Sequence, residues 1–483
     1  MRVYLDGKPA EVEVVRDGLW KDITYDGGEP NLAIGHRFRD SGFKGGAVDE
    51  FRVFDRAVTP LEAAEPAGKP GLIAAWKTPA EQLTAEQKAG LFDYFTATVH
   101  KQTIQAALLV REARREQARL INPIPEAMVM EELPTPKPAF VLKRGAYDAP
   151  GERVSANTPA ALPPFPADLP KNRLGLAKWL THLDHPLTAR VTVNRLWQQM
   201  FGTGLVESSD NFGMQGTPPT HPELLDWLAR DFIDHGWDVH HTLKLIALSA
   251  TYRQDSRPSA EARQKDPYNQ LLARFPARRL SAEMLRDQAL FLGNLLVEKQ
   301  GGPSVYPYQP DGLWNEAMGR PNYPRSKGAD LYRRSVYTVW KRTAPHPQMT
   351  TFDAADRSVC SARRQSTSTP LQALALLNDP QVVEAARFLG QRMLKEGGAT
   401  VPDRVAWAFR TATGRKTTDR ETTILVQLFD EQRAGFTADP KAAEKLLAVG
   451  DSPADPKLDK RDLAAAAVVG LALLNHDAAV MRR

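Results

Sequence analysis

The sequence predicts a mainly α-helical protein, in which a multi-helix domain is reached through a proline-rich connector and preceded by a small partial β-sandwich, of jelly-roll type. Three observations carry this. Residues 172–483 place apolar side chains at helical spacing behind recognisable caps. Residues 122–171 hold too much proline for helices or central strands. Residues 1–62 are short alternating runs broken by glycine, and residues 63–121 are a helical linker.

With 42% hydrophobic and 25% charged residues, the 483-residue chain has the composition of a globular protein of two or three domains. No run approaches the roughly 20 apolar residues that a membrane helix needs. The formal charge of +5 arises from Arg and Lys interspersed with acids, so nucleic acid is not an indicated partner. The single cysteine, Cys360, excludes an intrachain disulfide, a CxxC metal pair and a CxxCH haem attachment. None of the ten histidines falls in an HExxH pattern, and the adjacent His240 and His241 face different directions on a helix, so no metal site is expected. The first residues lack the apolar segment of a secretory leader.

In chain order, Asp6-Gly7 suits a tight hairpin between RVYL and EVEVV, and ITYD, NLAIG and AVDEFRVF follow as further strands. VYLDGKP, NLAIGHR and the closing FKGGAVDEFRVFDRAVTPLE at 43–62 resemble the last strands of a laminin-G or concanavalin-like jelly roll. A closed jelly roll needs about eight strands and this stretch has room for about five, so the chain is expected to be the carboxy-terminal part of a longer polypeptide. Thr59 to Glu62, with Pro60 at the first helical position, is a capping box. Thr84 to Gln87 is another, and it opens one helix running through Phe95 to about Leu120. In the connector, Met128, Val129, Met130, Phe140, Val141 and Leu142 imply an extended segment docked on a surface.

The stretch from Asp184 to Gln254 organises the rest. A helix from Leu187 to Phe201 gathers Val193, Leu196, Trp197, Met200 and Phe201 on one stripe, with Ala189 and Arg190 upon it, Asn194 at its edge and Arg195 opposite. Arg190 on an apolar stripe calls for a carboxylate, for which Asp210 is the suggested partner, or for a ligand anion. A capping box at Thr220 to Glu223 starts a second helix buried through Leu224, Leu225, Leu228 and Phe232 and ended by Gly236. Asp238 caps a third helix, apolar nearly all round, which is expected at the centre of the bundle. Ser281 caps a helix through Leu296, YRRSVYTVWKR reads as a strand, Thr369 to Gln372 is a further capping box, and Leu463 to Leu474 closes the chain with an apolar helix.

From Met128 to Arg483 the motifs MVMEE, RGAYDAPGE, HPLTARVTVNRLWQQMFGTGLV, FGMQGTPPTHPELLDWLA, SATYRQ, RRLSAEMLRD and FDAADRSVCSARRQSTSTPLQALALLND resemble the planctomycete "PSD one" family, a domain of unknown function. The resemblance implies a large exported bacterial protein and an extracytoplasmic setting. It also implies an amino-terminal cytochrome c domain in longer members. Haem would then belong to that upstream domain, and no cofactor is expected in this chain.

The candidate ligand-binding residues are Arg190 and Asn194, the pairs Arg278 and Arg279, Arg333 and Arg334, Arg363 and Arg364, and the neighbouring Asp353, Asp356 and Arg357. Converging guanidinium forks suit carboxylate, sulfate or phosphate, whereas the plainer role for such residues is to tie loops to a helical core. Asp210 and Asn211 suit backbone capping. Cys360, beside Arg363 and Arg364, is either a reactive thiolate or, more often for its type, a buried inert thiol. Tyr306, Tyr308, Trp314 and Trp340 either stack on sugar or close a core. No carboxylate pair sits in a reaction-specific motif. The expectation is a non-catalytic binding or assembly module of an exported polysaccharide-handling or surface system, taking a carbohydrate or anionic ligand. A redox partner docking an upstream cytochrome c domain and a hydrolase with an Arg-rich site are the alternatives.

Overall fold

The computed structural model describes residues 3–15, 20–21, 45–49, 51–54, 56–316 and 322–482. The chain divides into two units, 1–137 and 138–483.

In the first unit, β1 (Tyr4–Leu5) and β2 (Lys8–Pro9) form an antiparallel hairpin. Asp6 (φ 47°) and Gly7 (φ 76°) supply the two left-handed positions that the predicted turn requires. The partial sandwich does not extend further among the described residues: 47–49 and 51–54 form no strand and leave Val53 and Phe54 exposed. A strand is stable only where a neighbour takes its backbone groups, and among the described residues none pairs with this run. ITYD and NLAIG lie outside the described residues.

The helices of this unit are α1 (Pro60–Ala64), α2 (Leu72–Lys77), α3 (Ala85–Thr98) and α4 (Lys101–Ile121). Both predicted capping boxes form. At the first, hydrogen bonding from Arg56 holds the Glu62 carboxyl down at about 2. The single helix expected beyond Thr84 is two, because His100 adopts extended backbone and its Nδ1 meets Thr103 Oγ1 at 2.7 Å, which restarts the chain as α4.

The second unit begins with the antiparallel pair β3 (Ala139–Leu142) and β4 (Pro150–Val154). The connector is not docked as predicted: Met128, Val129 and Met130 are fully exposed, and Phe140 to Leu142 are about half so. The hairpin pairs its inward-facing backbone groups and leaves those of its outer edges to water. The connector's end is anchored, however. Trp179 of α5 (Arg173–Leu180) is buried and donates to the Pro163 carbonyl at 2.9 Å.

A first bundle follows, of α6 (Thr188–Phe201), α7 (Pro222–Asp234) and α8 (Val239–Leu248), around Val193, Trp197, Phe201, Leu228, Phe232 and Ile246. Asp238 caps α8 as predicted. The Thr220 capping box does not form. His221 occupies the cap position and Thr220 spends its N–H on the Leu205 carbonyl, 2.9 Å away, tying the loop to the helix entry. Nor is α8 central, since only Thr242 and Ile246 are buried on it.

After α9 (Ala260–Lys265) and β5 (Arg278–Arg279), α10 (Ala282–Leu292) opens at Ser281 and stops four residues short of Leu296. At Gly293 a Cβ would come within 2.9 Å of the Ala385 carbonyl. The strand predicted around Arg333 is reduced to isolated parallel bridges, Arg333 with Val297 and Thr338 with Val305, broken by 3-10 turns at Gly328–Tyr332 and Ser335–Tyr337. Arg286, fully buried, contributes to the break: its guanidinium takes the carbonyls of Leu331 (3.0 Å) and Arg333 (2.9 Å), which are then not offered to a ladder.

The main core is built on α10, α11 (Pro347–Thr351), α12 (Pro370–Asn378), α13 (Pro380–Glu396), α14 (Val401–Thr413), α15 (Asp419–Ala438), α16 (Pro440–Leu447) and α17 (Lys460–Leu474), and α18 (Asp477–Val480) follows. The central elements are α13 and α17, whose small residues allow close approach: Gly390 faces the backbone of Ala466 and Gly470 that of Ala386. A last strand, β6 (Met481–Arg482), returns to pair with β5.

Candidate functional site

Two of the longest sequence motifs meet in space. The exposed side of α6 and the Ser208–Phe212 loop after it face the 360–362 stretch, and together they line an open cleft of about 590 Å³. Its walls carry Arg195, Gln198, Gln199, Ser209, Asp210, Phe212, Cys360 and Ser361.

The local structure that holds this wall is built around Asn194. Fully buried, it donates from Nδ2 to the Val206 carbonyl (3.0 Å) and accepts the Val206 N–H at Oδ1 (2.9 Å), an amide pairing that fixes the turn after α6. Gly204 is required there, because a Cβ would lie 2.5 Å from the Asn194 amide. Arg278 caps the same helix end. Its guanidinium donates to the carbonyls of Gln198 (3.2 Å) and Gln199, where cationic charge complements the helix dipole. Burial pushes its pKa down from the usual range. Ser209 donates to Gln198 Oε1 at 2.9 Å, and Asn211 Oδ1 accepts from Gly213 N–H in the expected capping role.

The opposing wall is shaped by Asp353, held in left-handed backbone (φ 61°). Its carboxylate accepts from Arg279 Nη2 (2.5 Å) and from Thr367 N–H (2.8 Å) and Oγ1. Burial alone would raise its pKa, but the Thr367 hydrogen bonds and the Arg279 charge outweigh that and lower it. Asp356 accepts from Ser358 N–H at 2.8 Å, and Arg357 lies 4.7 Å over the Trp340 ring, whose Nε1 donates to the Asp356 carbonyl.

The arginine pairs do not converge on one point. Arg279 is spent on Asp353 and on the Phe352 and Thr367 carbonyls. Arg333 is buried, donates to the carbonyls of Lys299, Gly301 and Pro303, and lies 3.8 Å over the Tyr337 ring. Arg334 stands 3.7 Å from Asp287, and Arg364 grips Glu283 with both contacts under 3 Å. Arg190 pairs with Asp226 at 2.6 Å and not with Asp210, because α7 packs alongside α6 and brings Asp226 to it; the pair is also about half-exposed, not buried.

What the cleft leaves unspent is different. Among the described residues, the side chains of Arg195, Gln199 and Asp210 make no hydrogen bond or ion pair, and neither does the guanidinium of Arg363 next to the lining Ala362. Arg195 and Gln199 were not singled out from the sequence, although Arg195's position opposite the apolar stripe was the available signal. Cys360 is exposed in the cleft wall and is not the buried thiol that its residue type suggested, since its loop runs over the surface. The aromatic residues take the core role instead. Tyr306, Trp314 and Tyr323 pack edge-to-face on one another at 5.0–6.0 Å, and Tyr308 is buried.

A second polar cluster is sealed in the core and was not legible in sequence. Glu384, fully buried, accepts from Tyr332 Oη (2.8 Å), Tyr308 Oη (3.1 Å) and Ser452 N–H (2.8 Å), with Arg387 3.7 Å away. Burial and the Glu384 charge push the Tyr308 pKa up. Its hydrogen bonds join α13 to the loops before and after it, which is a structural role.

A family model, PSD1, described as "Protein of unknown function (DUF1553)", matches residues 172–429, just over half of the chain. Neither the curated proteins nor the solved structures contain a match.

Proposed function

The chain belongs to the PSD1 family of proteins of unknown function, and from that premise we propose that its cleft beside α6 is a non-catalytic carbohydrate-binding site for acidic polysaccharide, in a protein of an extracytoplasmic surface system. The observation that carries this reading is the set of unspent polar groups around an open cleft. Sugar hydroxyls donate and accept in neighbouring pairs, and a carboxylate, a side-chain amide and a guanidinium are the groups that answer both. Asp210 and Gln199 take that part, and Phe212 offers an apolar ring face for a pyranose. Arg195, with Arg363 nearby, adds cationic charge suited to a uronate or sulfate substituent.

Binding is favoured over hydrolysis by the chemistry of the lining. Asp210 is its one carboxylate, whereas glycoside hydrolysis in its common form uses two. The test is calorimetric titration of the full chain with matched neutral, uronic-acid and sulfated oligosaccharides. Acidic oligosaccharides are expected to bind, and Arg195→Ala to weaken them about tenfold, the loss of one charge-assisted hydrogen bond. No binding by any acidic oligosaccharide, or equal binding by the Arg195→Ala protein, would overturn the reading.

A further inference from the structure

The turn between α7 and α8 assembles three metal-ligating side chains that take no part in the cleft. Asp231, on the last turn of α7, and His235, the residue that caps its end, stand four residues apart, a spacing that brings the two side chains together. The chain then reverses through Gly236 (φ 67°) and Trp237 (φ 64°), both left-handed, and Trp237 is pinned edge-to-face on Phe232 at 5.2 Å. Asp238 caps α8, and its first turn brings His241 back over α7. The result is one carboxylate addressed by two imidazoles. His241 Nε2 is 3.0 Å from Asp231 Oδ2 and His235 Nδ1 is 3.2 Å from Asp231 Oδ1. The two rings lie parallel with centroids 3.9 Å apart, and all three ligand atoms fall within 4.8 Å of one another.

We propose that Asp231, His235 and His241 bind a divalent transition-metal ion of the zinc class. Two imidazoles and a carboxylate are the nitrogen and oxygen donors such ions take. Ligand bonds of about 2.0–2.1 Å in a tetrahedron set ligand atoms about 3.3 Å apart. Each imidazole is already near that distance from one carboxylate oxygen, His241 from Oδ2 and His235 from Oδ1, and all three ligand atoms lie within 4.8 Å of one another. His235 Nδ1 also donates to the Asp231 backbone carbonyl at 2.9 Å, so its half-exposed ring has to turn from that hydrogen bond to bring a free ring nitrogen to the ion and close the gap to His241. Both imidazoles border solvent, so water completes the coordination. The ion would clip the end of α7 to the start of α8. His240, next to His241 but outside the cluster, contributes nothing, in keeping with its different direction on the helix.

The experiment is titration of the chelator-treated full chain with Zn²⁺ by calorimetry and with Co²⁺ by visible absorption, alongside thermal unfolding with and without Zn²⁺. The wild type is expected to bind one equivalent, to show the absorption of a nitrogen-ligated Co²⁺ site and to unfold at higher temperature when loaded. His241→Ala and Asp231→Asn are expected to weaken binding at least tenfold and to abolish the thermal gain. His240→Ala and Cys360→Ser are expected to leave both unchanged. Absence of saturable binding in the wild type, or a loss in the His240→Ala or Cys360→Ser protein equal to that in His241→Ala, would overturn the assignment.

Discussion

His346 is the residue on which acid should act most directly. It is buried, and its Nε2 lies 2.7 Å from the Tyr308 carbonyl, an oxygen that only accepts, so the proton sits on Nε2 and Nδ1 is left as a buried lone pair. Burial pulls its pKa down to about 4. An unfolded imidazole titrates near 6.5, so between about pH 6.5 and 4 the unfolded chain holds a proton that the folded chain refuses. Stability from this group is complete above about pH 6.5 and falls as pH drops towards 4, by about 3 kcal/mol in all. His346→Gln, which keeps a donor for the carbonyl, is expected to flatten that part of the stability profile in urea unfolding at successive pH values. A slope identical to that of the wild type would contradict the assignment. Residues of this kind were hidden from the sequence because burial is a property of the whole fold. Asp238 and Ser281, by contrast, were readable as caps, since a cap bonds a backbone group three residues away. The partner of Arg190 was not readable, because Asp226 lies on another helix.

Among the elements, α13 and α17 decide the packing of the larger core. Their faces meet through Gly390 and Gly470, and a Cβ at Gly470 would approach the Ala386 carbonyl to 2.5 Å. Alanine is the better helix former by about 1 kcal/mol, but overpacking of this sort costs about 1–3 kcal/mol, so the clash prevails. Gly470→Ala is therefore expected to lower the unfolding midpoint in urea with the slope unchanged; a raised midpoint would mean that the two helices part without penalty. The sequence identified Leu463–Leu474 as apolar but placed α8 at the centre. Periodicity reports which faces are apolar, not which neighbours arrive to cover them, and α8 keeps Leu248 largely exposed. The failed strand around Arg333 has the same origin. Its β-branched and aromatic residues favoured a strand locally, and buried Arg286, about 45 residues earlier in the chain, claimed the carbonyls.

At the scale of the molecule, the helical class, the change of character at the connector and the family were legible, because each is written in composition or in long contiguous motifs. The cleft was legible only in halves. Its two walls are separate motifs, 191–212 and 360–362, and their meeting depends on α6, the Arg278 cap and the Asp353 turn. The arginine pairs drew attention by number, yet most serve as ties, and the groups left free for a ligand are Arg195, Gln199 and Asp210 beside them.

The chain carries a natural probe for the central claim, since its single cysteine, Cys360, lies exposed in that cleft wall. The most direct measurement is the rate of Cys360 alkylation in the native protein with and without a saturating acidic oligosaccharide. The account predicts severalfold protection by acidic and little by neutral oligosaccharide, with about tenfold more oligosaccharide needed for the same protection in the Arg195→Ala protein. An unchanged rate at concentrations where calorimetry shows binding would place the ligand elsewhere on the molecule and contradict the assignment of the cleft.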